Sequence, residues 1–399
     1  MGLSRHANHA KRIAAVAVFV TLASAVIGSG HLYIARRLVV DPDLPEPWRS
    51  LGLAAIAAGF GLLFLQPIGE RLLRPPASRW IAWPASIWLG LAFLTLVLLG
   101  LSDAALWLGG AAANAAGAAL PQAGSAAGAR AALVAGLAAV IGLFALRSAL
   151  RPPQLRQVQV TLPRWPSALN GFRILQISDI HIGPILGRRF AADLVRRVNE
   201  CSPDLVAVTG DLVDGSVRTL SDEVAPFADL RARHGVYFVT GNHDHYSGAS
   251  PWADRVAELG LRPLRNERVS IERDGAAFDL AGVDDHHGSW IGDGGGEDLE
   301  RALAGRDPER PVVLLAHDPS TFKRASKEVD FQLSGHTHGG QIWPFGYLVR
   351  LAIPFVAGLY RRGRAWLYVS RGSGFWGPPM RLFAPAEITE IELRSGAEA

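Results

Sequence analysis

Phe331-Gln332-Leu333-Ser334-Gly335-His336-Thr337-His338-Gly339-Gly340-Gln341 is an apolar run that ends in two histidines one residue apart, set among glycines. It reads as a short buried strand emptying into a loop that needs unusual backbone angles. Imidazole is the commonest side-chain metal ligand, and a pair at i and i+2 can face one centre where the backbone bends. Alone, His-x-His is a weak motif. Its weight comes from what precedes it.

Working back along the chain, the same pattern recurs four times. Arg173-Ile174-Leu175-Gln176-Ile177 leads into Ser178-Asp179-Ile180-His181, and Leu205-Val206-Ala207-Val208 into Thr209-Gly210-Asp211. Val236-Tyr237-Phe238-Val239 leads into Thr240-Gly241-Asn242-His243-Asp244, and Val312-Val313-Leu314-Leu315 into Ala316-His317. Short β-branched runs bounded by turn residues read as buried strands. Between the first two, Phe190, Leu194, Val195 and Val198 recur with helical spacing. Strand, helix, strand implies a right-handed crossover, with both carboxyl ends at the edge where α/β sheets bind ligands.

Asp179, His181, Asp211, Asn242, His317, His336 and His338 are therefore expected at one rim. Taken singly, an Asp or Asn after a strand is usually a turn or helix cap. Five such coincidences in one domain do not yield to separate explanations. The mixture of oxygen and imidazole suits Mn, Fe or Zn rather than calcium. Seven ligands exceed one tetrahedral ion and fit two divalent ions sharing a carboxylate, an arrangement used for displacement at phosphorus.

Asp179-x-His181, Gly210-Asp211, Gly241-Asn242-His243-Asp244, His317 and Gly335-His336-Thr337-His338 together resemble the signature of the calcineurin-like metallophosphoesterases, over roughly residues 170 to 395. The resemblance implies an α/β (α+β) fold, a four-layer αββα sandwich of two mixed sheets flanked by helices. It implies one metal held by Asp179, His181 and His338, and a second by Asn242, His317 and His336, with Asp211 bridging them. His243 then matches the family's catalytic histidine. Gly339-Gly340-Gln341-Ile342 and Tyr368-Val369-Ser370-Arg371-Gly372 resemble a narrower, membrane-associated branch similar to the UDP-2,3-diacylglucosamine pyrophosphatases and phosphatidylinositol-lipid-directed relatives. The expected enzyme hydrolyses a phosphodiester or diphosphate bond in a phospholipid or lipid-linked nucleotide. Its partners are the lipid bilayer and an acylated phosphate ester, with no nucleic acid.

Composition supports the membrane part independently. The 399 residues are 49% hydrophobic and 19% charged, with mean hydropathy +0.18, and the apolar excess sits in the first 150. Four stretches there are long enough to cross a bilayer: 13–34, 51–68, 80–101 and 131–146. A cleavable signal is the competing reading of the first, but its apolar run is long and three more follow. The stretch 104–119 is weighed as a fifth helix. Expected boundaries are a membrane region over 1–150, a linker over 151–170 and a catalytic domain over 171–399.

The net charge is +4 and the pI about 9.5. Arginines flanking apolar segments make membrane topology the simpler explanation than nucleic-acid binding. Arg5, Lys11, Arg12, Arg71, Arg74, Arg79, Arg147, Arg151 and Arg156 place both ends of the membrane region in the cytoplasm, at a bacterial inner membrane. Arg36, Arg37 and Arg49 blur that contrast. His31 is read as a polar residue near the interface, and the single Cys201 excludes an internal disulfide. The aromatic segment 343–360 with Arg361-Arg362-Gly363-Arg364 is weighed as a lipid-facing surface or an ordinary core hairpin. Asp284-Asp285-His286-His287 is read as a solvated loop rather than a third metal site. The competing functions are a soluble nucleotide or nucleic-acid phosphodiesterase, and an inactive membrane sensor or scaffold.

Overall fold

The computed structural model describes residues 2–117, 126–291 and 295–396. The chain forms two compact units. One comprises residues 1–72 and 80–143, and the other 73–79 and 144–399.

The first unit is helical: α1 (Gly2–Ala35), α2 (Trp48–Leu72), α3 (Arg79–Ala115) and most of α4 (Ala127–Ala149). Three of these, α2, α3 and α4, are long and apolar enough to cross a membrane, and they contain the second, third and fourth expected spans. The first expected span, 13–34, lies within α1. The stretch weighed as a fifth helix continues α3 as far as Ala115, and its last two residues lie outside the described set. Large apolar side chains such as Val26, Leu32, Trp107 and Val140 point outward, as lipid requires, whereas Ala82, Ala85 and Ala92 are buried where helices approach closely.

His31 differs from expectation. It is buried, with Nδ1 donating to the Ile27 carbonyl and Nε2 accepting from Trp88 Nε1 at 2.9 Å. Asp103 of α3 is held by Tyr33, Arg37 and Arg130, each at 2.6 Å, and Arg49 pairs with Asp43. The arginines that blurred the topology are thus matched by acids.

The second unit contains two six-stranded sheets, with strands numbered in chain order. The first sheet runs β1 (Gln154–Leu162), β12 (Glu387–Ser395), β2 (Phe172–Ile177), β3 (Leu205–Thr209), β4 (Val236–Val239), β5 (Arg262–Pro263). The second runs β10 (Gly358–Arg362), β11 (Ala365–Val369), β9 (Phe331–Ser334), β8 (Val312–Leu315), β7 (Ala276–Gly282), β6 (Glu267–Arg273). Both are mixed: β2, β3 and β4 pair in parallel, as do β8 and β9, while β12 runs against β2.

Alternation along each strand sorts side chains between layers. In β3, Leu205 and Ala207 enter the core between the sheets. Val206 and Val208 face α5 (Arg188–Glu200), α6 (Val217–Val224) and α8 (Ala249–Glu258). In β8, Val313 and Leu315 face the inter-sheet core, and Val312 and Leu314 pack against α10 (Leu299–Leu303) and α11 (Phe322–Ala325). The short helices α7 (Asn242–Ser247), α9 (Gly288–Ile291) and α12 (Phe345–Ala352) complete the unit. The four-layer αββα sandwich is therefore present.

One boundary is corrected. The expected linker 151–170 contains β1, which pairs with β12 over nine residues and buries Val160 and Leu162. Its alternation was masked because only one end of the strand is covered. The connection 73–79 also belongs to this unit: Arg79 Nε donates to the Pro184 carbonyl at 2.8 Å.

Candidate dimetal site

Three neighbouring strands of one sheet and two of the other deliver the candidate residues. The rim is thus made by two facing sheets, not the one that strand-end reasoning describes. Gln176 Nε2 bridges them by donating to the Ser334 carbonyl at 2.9 Å. Where each strand stops, the backbone turns sharply. Asp179, His181, Asp211, His336 and His338 all take left-handed φ, between 50° and 73°. Non-glycine residues there cost about 1–3 kcal/mol each and persist where surrounding contacts over-determine them. Gly335 allows one such approach, since a Cβ there would collide with Ser178 Oγ and Asp179 Oδ2.

The turns bring three groups together, each with candidate ligand atoms within 4.8 Å of one another. These are Asp179–His181–His338, His181–Asp211–His243 and Asp211–His317–His336. Asp211 belongs to two of them. Asn242 is buried between Gly241 and His243, and the His243 amide donates to Asp211 Oδ1 at 2.8 Å. Six of the seven candidate ligands and His243 therefore converge on one place, and Asn242 is the buried residue next to His243.

Hydrogen bonding shows what these groups lack. His317 Nδ1 lies 2.8 Å from the Thr209 carbonyl, which can only accept, so Nδ1 carries the proton. Its Nε2 then faces Asp211 Oδ2, 3.2 Å away. His181 Nδ1 donates to Asp214 Oδ1 at 3.0 Å, leaving its Nε2 lone pair 3.8 Å from Asp211 Oδ2 and 3.0 Å from His338 Nε2. Asp179 Oδ2 is buried with no hydrogen-bond partner. Lone pairs converging on carboxylates repel unless positive charge lies among them. The donor set therefore fits divalent cations, as oxygen and imidazole ligands should.

Electrostatics agree. Burial pushes the Asp211 carboxyl up, but the imidazoles of His317, His243 and His181 hold it well below the usual range. Burial pushes His317 down, yet Asp211 raises it well above normal. His336 and His338 are pushed down by burial and by neighbouring imidazoles, leaving them neutral as ligands must be. His243 is lowered by burial but raised to about 9 by Asp211 and by its 2.7 Å hydrogen bond to Asp214.

Several residues do more than their sequence positions suggested. Asp214 holds His181 and His243 through one oxygen. Asp244 is a backbone clasp: its carboxylate accepts from the amides of Asp211, Leu212, Val213 and Gly241. Gln341 grips Trp376, whose amide donates to Oε1 at 3.0 Å while Nε2 donates to the Trp376 carbonyl at 2.8 Å. Trp376 in turn lies 5.6 Å, ring to ring, from His243. Arg381 is fully buried beneath His338 and donates to the carbonyls of Gly374, Ala384 and Arg371. Nothing in local sequence marks Pro-Pro-Met-Arg as buried.

The loop read as solvated is only partly so. Asp285 is buried, and its Oδ1 accepts from the His287 amide and Nδ1, while His286 remains half-exposed. His287 reaches within 6.4 Å of His336, ring to ring, so this loop edges the site. The following glycine run falls partly outside the described residues.

Comparison with known proteins agrees. The model of the calcineurin-like phosphoesterase family matches residues 172–340. The bovine "transmembrane protein with metallophosphoesterase domain" is 41% identical over 278 residues, covering 67% of this chain and 63% of that protein. The match thus spans less than two thirds of that relative's length. An uncharacterised metallophosphoesterase of Aquifex aeolicus is 36% identical over 225 residues, covering 56% of this chain and 85% of the relative. The Bacillus subtilis metallophosphoesterase YkuE is 30% identical over 275 residues, covering 66% of this chain and 94% of the relative. The fold, the converging carboxylates and imidazoles, and these matches agree: the chain belongs to the calcineurin-like metallophosphoesterase family and joins that domain to membrane-spanning helices.

Proposed function

We propose that this protein hydrolyses a phosphodiester or diphosphate bond in a membrane-borne phosphoester, a phospholipid or lipid-linked nucleotide. The observation that carries the chemistry is the pair of imidazole Nε2 atoms, from His181 and His317, that face the one carboxylate of Asp211. In this reading Asp179, His181 and His338 would hold one divalent ion, Asn242, His317 and His336 would hold another, and Asp211 would serve both. The ions, Mn, Fe or Zn by ligand chemistry, supply charge neutralisation at phosphorus and lower the pKa of water toward neutrality.

The chain's own residues do the rest. Asp214 fixes the His181 ring and occupies His243 Nδ1, so His243 Nε2 is the atom left to donate a proton to the leaving oxygen. The Asp211 carboxylate and the hydrogen bond to Asp214 both favour a proton on that ring. Trp376 beside His243 narrows access for water.

Membrane origin of the substrate is supported by the tether. The last turn of α4 packs onto the loop that carries Trp376: Ala149 touches Phe375, and the Arg381 amide donates to the Ala145 carbonyl at 2.9 Å. The arginine-bearing connection 73–79 is also part of the catalytic unit. Lysine and arginine bias then favours the cytoplasmic face of a bacterial inner membrane.

The test is a hydrolysis screen on the metal-loaded full chain with bis-p-nitrophenyl phosphate, phospholipid and acylated UDP-sugars. Asp211→Ala is expected to abolish turnover of every substrate. His243→Gln is expected to lower kcat by about 10²–10⁴-fold with metal content unchanged. Full activity in Asp211→Ala would refute the metal-dependent reading. Turnover of nucleotides without lipid would favour a nucleotide phosphodiesterase.

A further inference from the structure

From Phe331 to Ala386 the chain has no Asp or Glu, yet it carries Arg350, Arg361, Arg362, Arg364, Arg371 and Arg381. This acid-free stretch holds the metal-site loop, α12 and the Trp376 loop. It is also where the catalytic unit exposes most of its large apolar side chains. In α12 no residue is buried, and Tyr347, Leu348 and Leu351 are 65%, 59% and 84% exposed. Trp343, Trp376 and Phe383 are 43%, 50% and 78% exposed, and Trp343 meets Phe383 edge to face. Sequence patterning had grouped Phe355 and Leu359 with this surface. The structure instead packs Phe355 against Phe322 and Tyr360, and 345–352 is a helix, not a hairpin strand.

A short helix with uncovered leucines and a tyrosine, flanked by exposed Arg350, Arg362 and Arg364, matches a lipid surface in both polarity and charge. Two observations choose the bilayer as occupant. The stretch lacks any carboxylate, so an anionic leaflet meets no like charge from it. The same loop that carries Trp376 and Phe383 is joined to the last turn of α4, a candidate membrane span. The apolar surface also continues to the chemistry, because Trp376 contacts His243.

We infer that α12, with Trp343, Trp376 and Phe383, seats in the headgroup–acyl boundary of an anionic leaflet and forms the entry by which an acylated phosphoester reaches the metal site. The entry role rests on the membrane-borne substrate proposed above. Seating in the leaflet does not.

Two measurements separate these claims. In a Cys201→Ser background, a nitroxide is placed by Leu348→Cys or Leu351→Cys in full-length protein reconstituted into vesicles containing phosphatidylglycerol. Glu200→Cys, on an exposed helix end, serves as the aqueous reference. Positions 348 and 351 are expected to collide with oxygen and be shielded from a nickel chelate. Nickel access equal to that at position 200 would overturn the inference. Second, Leu348→Asp with Leu351→Asp is expected to lower turnover of acylated diester in vesicles by at least about tenfold, with bis-p-nitrophenyl phosphate hydrolysis unchanged. Equal loss on both substrates, or no loss on lipid, would overturn the entry role. Shielded labels in a protein that cleaves no acylated substrate would defeat the proposed function while leaving the seating intact.

Discussion

By its sequence position, three residues beyond Asp211, Asp214 could equally be a turn or cap residue. In the structure one of its oxygens fixes two imidazoles that matter, His181 and His243. A carboxylate behind a ligating histidine sets the tautomer and raises ligand basicity. Asp214→Asn is therefore expected to weaken metal binding by about 10–100-fold, read by calorimetric titration of metal into the apo protein. Unchanged affinity would show that His181 keeps its tautomer without this partner. The candidate ligands at residue scale were legible from type and position after each strand. Their left-handed backbone was not, because φ at Asp179 or His336 depends on what the neighbouring strand allows.

At the scale of elements, β1 is the clearest departure. The stretch expected to be a linker holds this strand, and Val160 and Leu162 close the edge of the inter-sheet core. Leu162→Ala is expected to destabilise the catalytic unit by about 2–5 kcal/mol, measured by denaturant unfolding in micelles. A linker residue would show no effect. The metal-site turns have their own signature. Gly241 lies so close to Asp211 that a Cβ would strike its carboxylate. Gly241→Ala is expected to lower metal occupancy and activity together while leaving the secondary-structure spectrum intact. Normal metal content in that variant would count against so tight a turn. The helix α12 shows the opposite limit: its apolar and aromatic content was visible, but that no residue of it is buried depended on packing.

For the molecule as a whole, metal binding should couple to stability, since the ligands come from five strands in two sheets. An ion present at 100 times its dissociation constant adds about 2.7 kcal/mol by mass action. Mn²⁺ is thus expected to raise the Tm of the catalytic unit several degrees, and chelation to reverse it. Asp211→Ala should show no such rise, and an equal rise in that variant would place the ions elsewhere. The sequence by itself determined the candidate residues at the strand ends, the αββα class and the apolar helices, because these follow from residue chemistry and from periods of two and 3.6 residues. Tertiary structure alone decided that two sheets share the rim, that Asp214 and Arg381 support it, and that α12 stays uncovered. Those facts concern which distant surfaces meet, and local pattern carries no information about the partner that buries a side chain.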